Sequence, residues 1–341
     1  MVRLLFLTVL FVVTSLSASQ GREIVDMTGR RVTVPDTVRR VYSGSPPATY
    51  LLYAIDPRLL AGINFNVKPE ERRLLRPEFS RLPVAGAGIG QGRNINLEAL
   101  LALKPDVVVM WAWKDGGDGN QLAERLQKSG IPTVFVDLDR LENYPAVFTF
   151  LGELVGRRER ARRLANHARG TLRSVAAATA GIPERERVAV YYAEGIDGLA
   201  TERETSVHAE LIRLAGARNV HRGAALDHMG MEKVSLEQVL LYNPQVIVAQ
   251  ERIFFDSVAH DRRWQDIRAV RDGKVWLIPR GPFNWFDRPP SFMRLLGLKW
   301  LTNRLYPKRY PIDIVRETRA FYRLFLGVEL GDRDLREILQ P

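Results

Sequence analysis

The chain has 341 residues and no cysteine, which excludes disulfides and thiolate metal sites. Its length suits one large domain or two ordinary ones, and its apolar (46%) and charged (26%) fractions are those of a globular fold. A formal net charge of +11 admits nucleic acid, acidic membrane or an anionic ligand as partner.

The first element in chain order narrows that choice. Arg3 precedes the unbroken apolar run Leu4–Val13, and small residues follow near Ser17–Ser19. That order reads as a secretory signal peptide over residues 1–19. The run is shorter than the ~20 residues that span a bilayer. With no cysteine to carry a lipid anchor, the mature chain is expected free in a periplasm. Export argues against a nucleic-acid partner, and the densest basic run, Gly156–Arg163, reads as a solvated helix face.

Residues 20–142 read as one α/β lobe. Apolar runs at 41–43, 59–64, 84–86, 107–111 and 133–136 alternate with helical patterns, among them residues 119–130, closed by Gly130. Strand–helix alternation predicts a largely parallel sheet. Residues 143–180 change character. From Val147 to Val175 apolar residues recur at alternating four- and three-residue steps, and Pro145 suits a first helical turn. A single helix of this length would span roughly 50 Å and serve as a rigid connector, although Gly152, Gly156 and Gly170 weaken it. Residues 181–290 form a second α/β lobe, with strands at 187–195, 246–249 and 274–279 and helices at 206–216 and 235–242. Residues 291–341 add helices expected to pack on the C-terminal lobe.

A repeat supports the two-lobed reading. "INLEALLALKPDVVVMW" (95–111) aligns without a gap to "VSLEQVLLYNPQVIVAQ" (234–250), at an offset of 139 residues. Each begins with a capping residue, Asn96 or Ser235, continues as a short helix, stops at Pro105 or Pro244 and enters a strand. Glu98 and Glu237 occupy equivalent places.

Open parallel sheets bind ligands beyond the carboxyl ends of their strands, so a cleft between the lobes is the expected site. Residues after predicted strands are therefore candidates. Trp111 and Trp113 lie on one side of their strand and either cap the sheet or face the ligand. Tyr191 and Tyr192 end a strand, as buried hydroxyls or as phenolates for ferric iron. Arg93, Arg252 and Arg288 suit carboxylate or catecholate oxygens. His228, beside Met229 and Met231, suits a soft metal, or iron or cobalt in a macrocycle. The loop "GPFNWFDRPPSF" (281–292) has four large aromatics and no helical or strand period. Phe283 and Trp285 are expected to face a ligand, Asn284 and Arg288 to hold its polar edges, and Phe286 and Phe292 to pack the core.

Five segments together resemble the periplasmic substrate-binding proteins of ABC importers for ferric siderophores, cobalamin and haem. They are "DMTGRRVTVPDTVRRV" (26–41), "NLEALLALKPDVVV", "AELIRLAGARNV" (209–220), "VSLEQVLLYNPQVIV" and "AVRDGKVWLIP" (269–279). The resemblance implies two Rossmann-like lobes joined by a long backbone helix, and a monomer with no prosthetic group. It further implies a metal-chelate ligand containing iron or cobalt, an aromatic loop at 281–288 lining the site, and a permease dimer in the inner membrane as partner. Glu98 and Glu237 match the acidic positions that dock onto permease arginines; first-turn acids also simply favour a helix.

Two other functions would make different demands on the sequence. A receptor for a free or small-ligand-complexed nickel, zinc or manganese ion would need paired histidines, and none has a metal-ligand spacing. An exported α/β hydrolase would need a nucleophile–base constellation; neither a G-x-S-x-G elbow nor an H-E-x-x-H helix is present, while the plentiful acidic residues leave a carboxylate pair open.

Overall fold

The computed structural model describes residues 21–86, 96–112, 117–226 and 230–339, without the side chains of 117 and 118. Residues 1–19, expected as a signal peptide, lie outside them. β1 (Gly21–Val25) and β2 (Arg31–Pro35) form an antiparallel hairpin. Next come β3 (Val41–Ser43), α1 (Pro46–Ile55), α2 (Leu97–Ala102), β4 (Val107–Trp111), α3 (Gly117–Lys128) and β5 (Thr133–Val136). The last three strands make a parallel sheet in the order β3-β4-β5. Every residue in them is buried, which explains their unbroken apolar runs. The runs at 59–64 and 84–86 contribute only the single parallel bridges Val41–Leu60 and Ile63–Val84.

The connector is two helices, α4 (Tyr144–Leu154) and α5 (Arg158–Thr179), not the single strut of the sequence pattern. The break lies at Gly156, whose φ of +66° a residue with a side chain rarely adopts. Arg157 N–H returns to the Gly152 carbonyl at 2.7 Å, the long bond of a glycine-terminated helix end. The heptad-like stripe continues through the break because α4 and α5 pack against each other there. α5 alone has 22 residues, about 33 Å, and remains the long backbone helix.

The second lobe follows with β6 (Ala189–Ala193), β7 (Ala200–Thr201), α6 (Glu210–Leu214), β8 (Arg218–Asn219), β9 (Glu232–Lys233), α7 (Leu236–Tyr242), β10 (Val246–Ala249), α8 (Arg252–Val258), α9 (Arg268–Arg271) and β11 (Val275–Leu277). Its sheet is parallel throughout, in the order β11-β10-β6-β8. The repeat holds at atomic level. Asn96 Oδ1 accepts from Ala99 N at 3.0 Å and Ser235 Oγ from Gln238 N at 3.2 Å. Lys104 and Asn243, 139 residues apart, both take a left-handed backbone (φ +47° and +39°) before the proline. One residue past each proline, Asp106 and Gln245 bond the backbone at the start of the neighbouring strand, at Arg40 and Ala189.

α10 (Arg294–Leu305), α11 (Ile314–Phe321) and α12 (Asp332–Leu339) close the chain. They reach both lobes, not the C-terminal one alone. Tyr53 of α1 donates to the Leu326 carbonyl at 2.8 Å, and Arg73 pairs with Asp334 and Glu337 of α12. His167 of α5 is not a solvated residue: it packs 5.6 Å and 5.3 Å from Phe321 and Phe325, and burial lowers its pKa to about 4. One continuous apolar core runs from Tyr50 and Phe79 through Phe283 and Trp285 to Ile338. Among the described residues no helix is long and apolar enough to cross a membrane.

Candidate functional site

The 281–292 loop follows the carboxyl end of β11. Its aromatics are buried. Phe283 crosses to the other lobe, 4.0 Å from Tyr50 and 6.5 Å from Phe65 between ring centroids. Trp285 is wholly buried, its carbonyl pressed onto α10 at Gly297, where even a methyl group would lie 1.9 Å from the oxygen. Phe286 packs tilted against Tyr192, 4.9 Å between centroids, and Phe292 meets Phe325 at 5.3 Å. Asn284 turns inward, its Oδ1 accepting from the N–H groups of Phe286 (2.7 Å) and Asp287 (3.1 Å). It shapes the loop, as a buried Asx turn does. In this conformation neither Trp285 nor Asn284 offers a surface to a ligand.

Both tyrosines are interior as well. Tyr191 donates to the Gly198 carbonyl at 2.9 Å and Tyr192 to Gln250 Oε1 at 2.5 Å. Burial raises both phenol pKa values far above the usual range, so a phenolate for ferric iron is not to be had from either. Trp111, 5% exposed, donates from Nε1 to Asp139 Oδ1 at 2.9 Å. Arg252 opens α8 at the surface and pairs with Asp256 at 3.7 Å. Glu98 and Glu237 are exposed on the first turns of α2 and α7, and neither makes an ion pair among the described residues. Backbone and Ser235 hydrogen bonds lower the Glu237 pKa, as its capping position requires. Arg93, Trp113 and His228 lie outside the described residues.

Arg288 is the centre of what the sequence did not disclose. It is half-buried, with a φ of +56°. Its Nε donates to Glu194 and its Nη2 to Glu202, and Asp287 lies 3.8 Å away. Asp287 also meets His208 Nδ1 at 2.5 Å. Burial alone would raise the Asp287 carboxyl, but the His208 and Arg288 charges win and hold it below its usual value. Burial disfavours the His208 imidazolium, yet Asp287 more than offsets that and raises its pKa. Arg294 forms a second buried pair with Glu210 at 2.7 Å, and the same carboxylate accepts from Leu141 N at 3.0 Å, tying α6 to the first lobe. Glu194 sits immediately after β6, in the stretch "YYAEG"; its position was legible but its partner, Arg288, 94 residues further on, was not.

Two hollows flank this region. One of about 560 Å³ lies between Asp139 and Arg140 of the first lobe and Ser206, Glu210, Arg213 and Arg218 of the second. A smaller one of about 200 Å³ sits at the ends of β10 and β11, lined by Gln250, Arg252, Arg280 and Ile338. The larger is lined mostly by polar and charged residues, the smaller half by apolar ones, among them Ile253, Leu277 and Ile278. Among the described residues no group of His, Asp and Glu is arranged to hold a bare metal ion.

Comparison with known proteins gives a consistent result. Residues 42–281 match the family described as "Periplasmic binding protein". The chain is 26% identical over 338 residues to the molybdate-binding protein MolA of Haemophilus influenzae, covering 91% of this chain and 92% of that one. It is 29% identical to a vitamin B12-binding protein of Pectobacterium carotovorum, over 62% and 70% of the two chains. Among solved structures, an ABC transporter solute binding protein from Sulfurospirillum deleyianum is 40% identical, with a TM-score of 0.87 over 94% of this chain and 99% of that one.

Proposed function

The chain belongs to the periplasmic binding protein family, the solute-binding components of ABC importers, and from that premise we propose that it captures a metal-centred anion between its lobes and delivers it to a permease. It is a binding protein and not an enzyme. The solute favoured is a compact oxyanion of the molybdate kind. The observation that carries this reading is the burial of the 281–292 aromatics. A flat tetrapyrrole or corrin needs an aromatic or apolar wall, and the loop that would supply one is packed into the core. What remains at the strand ends is charged and hydrogen-bonding, with Arg288 set among Glu194, Glu202 and Asp287 and with Arg252 and Arg280 lining the smaller hollow. A relative that matches almost the full length of the chain is a molybdate-binding protein.

A bulkier metal chelate, with iron or cobalt, is the second reading, favoured by the vitamin B12-binding relatives that match 62% to 78% of the chain. In that case Trp111, Trp113, Arg93, Arg252 and His228 would complete the contact, with the loop displaced to expose Phe283 and Trp285. Delivery runs through Glu98 and Glu237 against permease arginines, after export directed by residues 1–19. Titration of the purified mature protein with molybdate, ferric siderophores, cobalamin and haem, followed by tryptophan fluorescence, separates the readings. Saturation by molybdate alone is expected; saturation by cobalamin or haem alone would replace the first reading with the second.

A further inference from the structure

Behind Arg288 three carboxyl groups meet two bases. Glu194, Glu202 and Asp287 are each 1% exposed or less. Arg288 bonds to the first two and His208 to the third. With every carboxyl ionised and His208 protonated, these five groups would carry a net charge of −1, with all three carboxyls cut off from water. An uncompensated buried charge is costly, and the ordinary relief is a proton taken up by one of the acids.

The hydrogen bonds single out which acid. Glu202 accepts from Arg288, from Ser206 Oγ at 2.7 Å and from Met231 N at 2.8 Å, a set that suits a carboxylate. Asp287 faces the His208 ring at 2.5 Å. Glu194 has one donor, Arg288 Nε, on a guanidinium it shares with Glu202; its Oε2, like Asp287 Oδ1, is buried without a partner, but unlike Asp287 it has no base of its own. The phenols packed nearby, Tyr191 and Tyr192, stay neutral and add no charge.

We infer that Glu194 is a positioning residue kept protonated in the folded protein, accepting from Arg288 through a neutral carboxyl so that the cluster presents no net negative charge to an anionic solute. This rests on the reading of Arg288 as the solute's partner. The electrostatics agree. Burial is the largest influence on Glu194, the neighbouring Glu202 and Asp287 add to it, Arg288 opposes it, and the group's pKa rises to about 8. A raised carboxyl pKa means that the folded state binds a proton the unfolded state has released. The associated stability is complete below about pH 4.5 and declines as pH rises towards 8.

Glu194→Gln imitates the neutral carboxyl and tests the inference in two ways. In urea unfolding of the solute-free protein, the stability difference between Glu194→Gln and parent should move in favour of the variant from pH 5 to pH 9. A difference that stays flat, or that moves in favour of the parent, overturns the inference. His208 and Asp287 titrate in both proteins and cancel in this difference. In molybdate titrations the parent should bind about tenfold more weakly at pH 9 than at pH 7, because about one tenth of Glu194 keeps its proton there, while the variant's affinity should hardly depend on pH. A parent that never binds molybdate would refute the oxyanion reading of the previous subsection, and the unfolding difference would still decide the proton.

Discussion

Replacing Gly297 with alanine is the sharpest test of how the 281–292 loop is held. In the middle of an exposed helix this change ordinarily stabilises by about 1 kcal/mol, since alanine is the better helix former. At Gly297 the new methyl carbon would stand 1.9 Å from the Trp285 carbonyl oxygen and 2.8 Å from its carbon. Van der Waals contact needs about 3.5 Å, and the obstacle is backbone rather than a flexible side-chain end. Either α10 or the loop must retreat, and overpacking of this kind costs ~1–3 kcal/mol. A rigid backbone obstacle belongs at the upper end, so after the propensity gain the net loss is about 2 kcal/mol. With an m-value of about 3 kcal/mol/M for a chain of this size, the urea midpoint should fall by roughly 0.7 M at unchanged slope. Gly170 in α5 is the control: nothing lies within 4 Å of its would-be methyl, and Gly170→Ala should gain up to ~1 kcal/mol. Equal stability of the two variants would refute the close packing of the loop on α10.

Trp285→Ala should destabilise the protein by about 3–5 kcal/mol through the cavity left in the core; a variant that unfolds at the parent's midpoint but loses solute affinity would return Trp285 to the ligand surface. Glu98→Arg combined with Glu237→Arg should abolish importer-dependent uptake in cells while the purified protein binds solute as before; undiminished uptake would refute the docking role. Asp287→Asn should cost most stability near pH 5–6. The lowered Asp287 value places its contribution above pH 3.8 and removes it as pH falls, whereas the raised His208 value places its contribution below pH 6.5 and removes it as pH rises. A loss that is the same at pH 3, 5.5 and 9 in chemical unfolding would show that the pair is not ionised in the folded state.

The sequence reveals the lobes well because their signals are local. The cap, proline stop and apolar strand of 95–111 and 234–250 lie within seventeen residues each, and the structure repeats them down to the left-handed residue before each proline. The connector was legible as helix but not as two helices, since a stripe of period 3.5 passes through Gly156 without interruption. The site was the least legible part. Aromatics on a proline-bounded loop can face solvent, ligand or core, and composition does not separate these. Phe283 found Tyr50 more than two hundred residues away, and Asp287 found His208 across the lobe. Such pairings depend on where the folded chain brings distant segments, and no window of sequence contains both partners.

The Phe283 contact has a consequence for exchange of solute. Tyr50 and Phe65 grip Phe283 from the opposite lobe, and each aromatic pair contributes ~0.5–1.5 kcal/mol beyond its buried area. Arg73 adds ion pairs to α12 on the same side. Spreading the lobes must break these contacts together, at a cost of a few kcal/mol, which leaves the spread form on the order of 1% of molecules or fewer. A solute that enters only through the spread form would bind with an apparent affinity lowered by that fraction. A permease that wedges apart Tyr50 and Phe283 would act as the release catalyst, raising the rate of unloading without any change in the intrinsic affinity of the site.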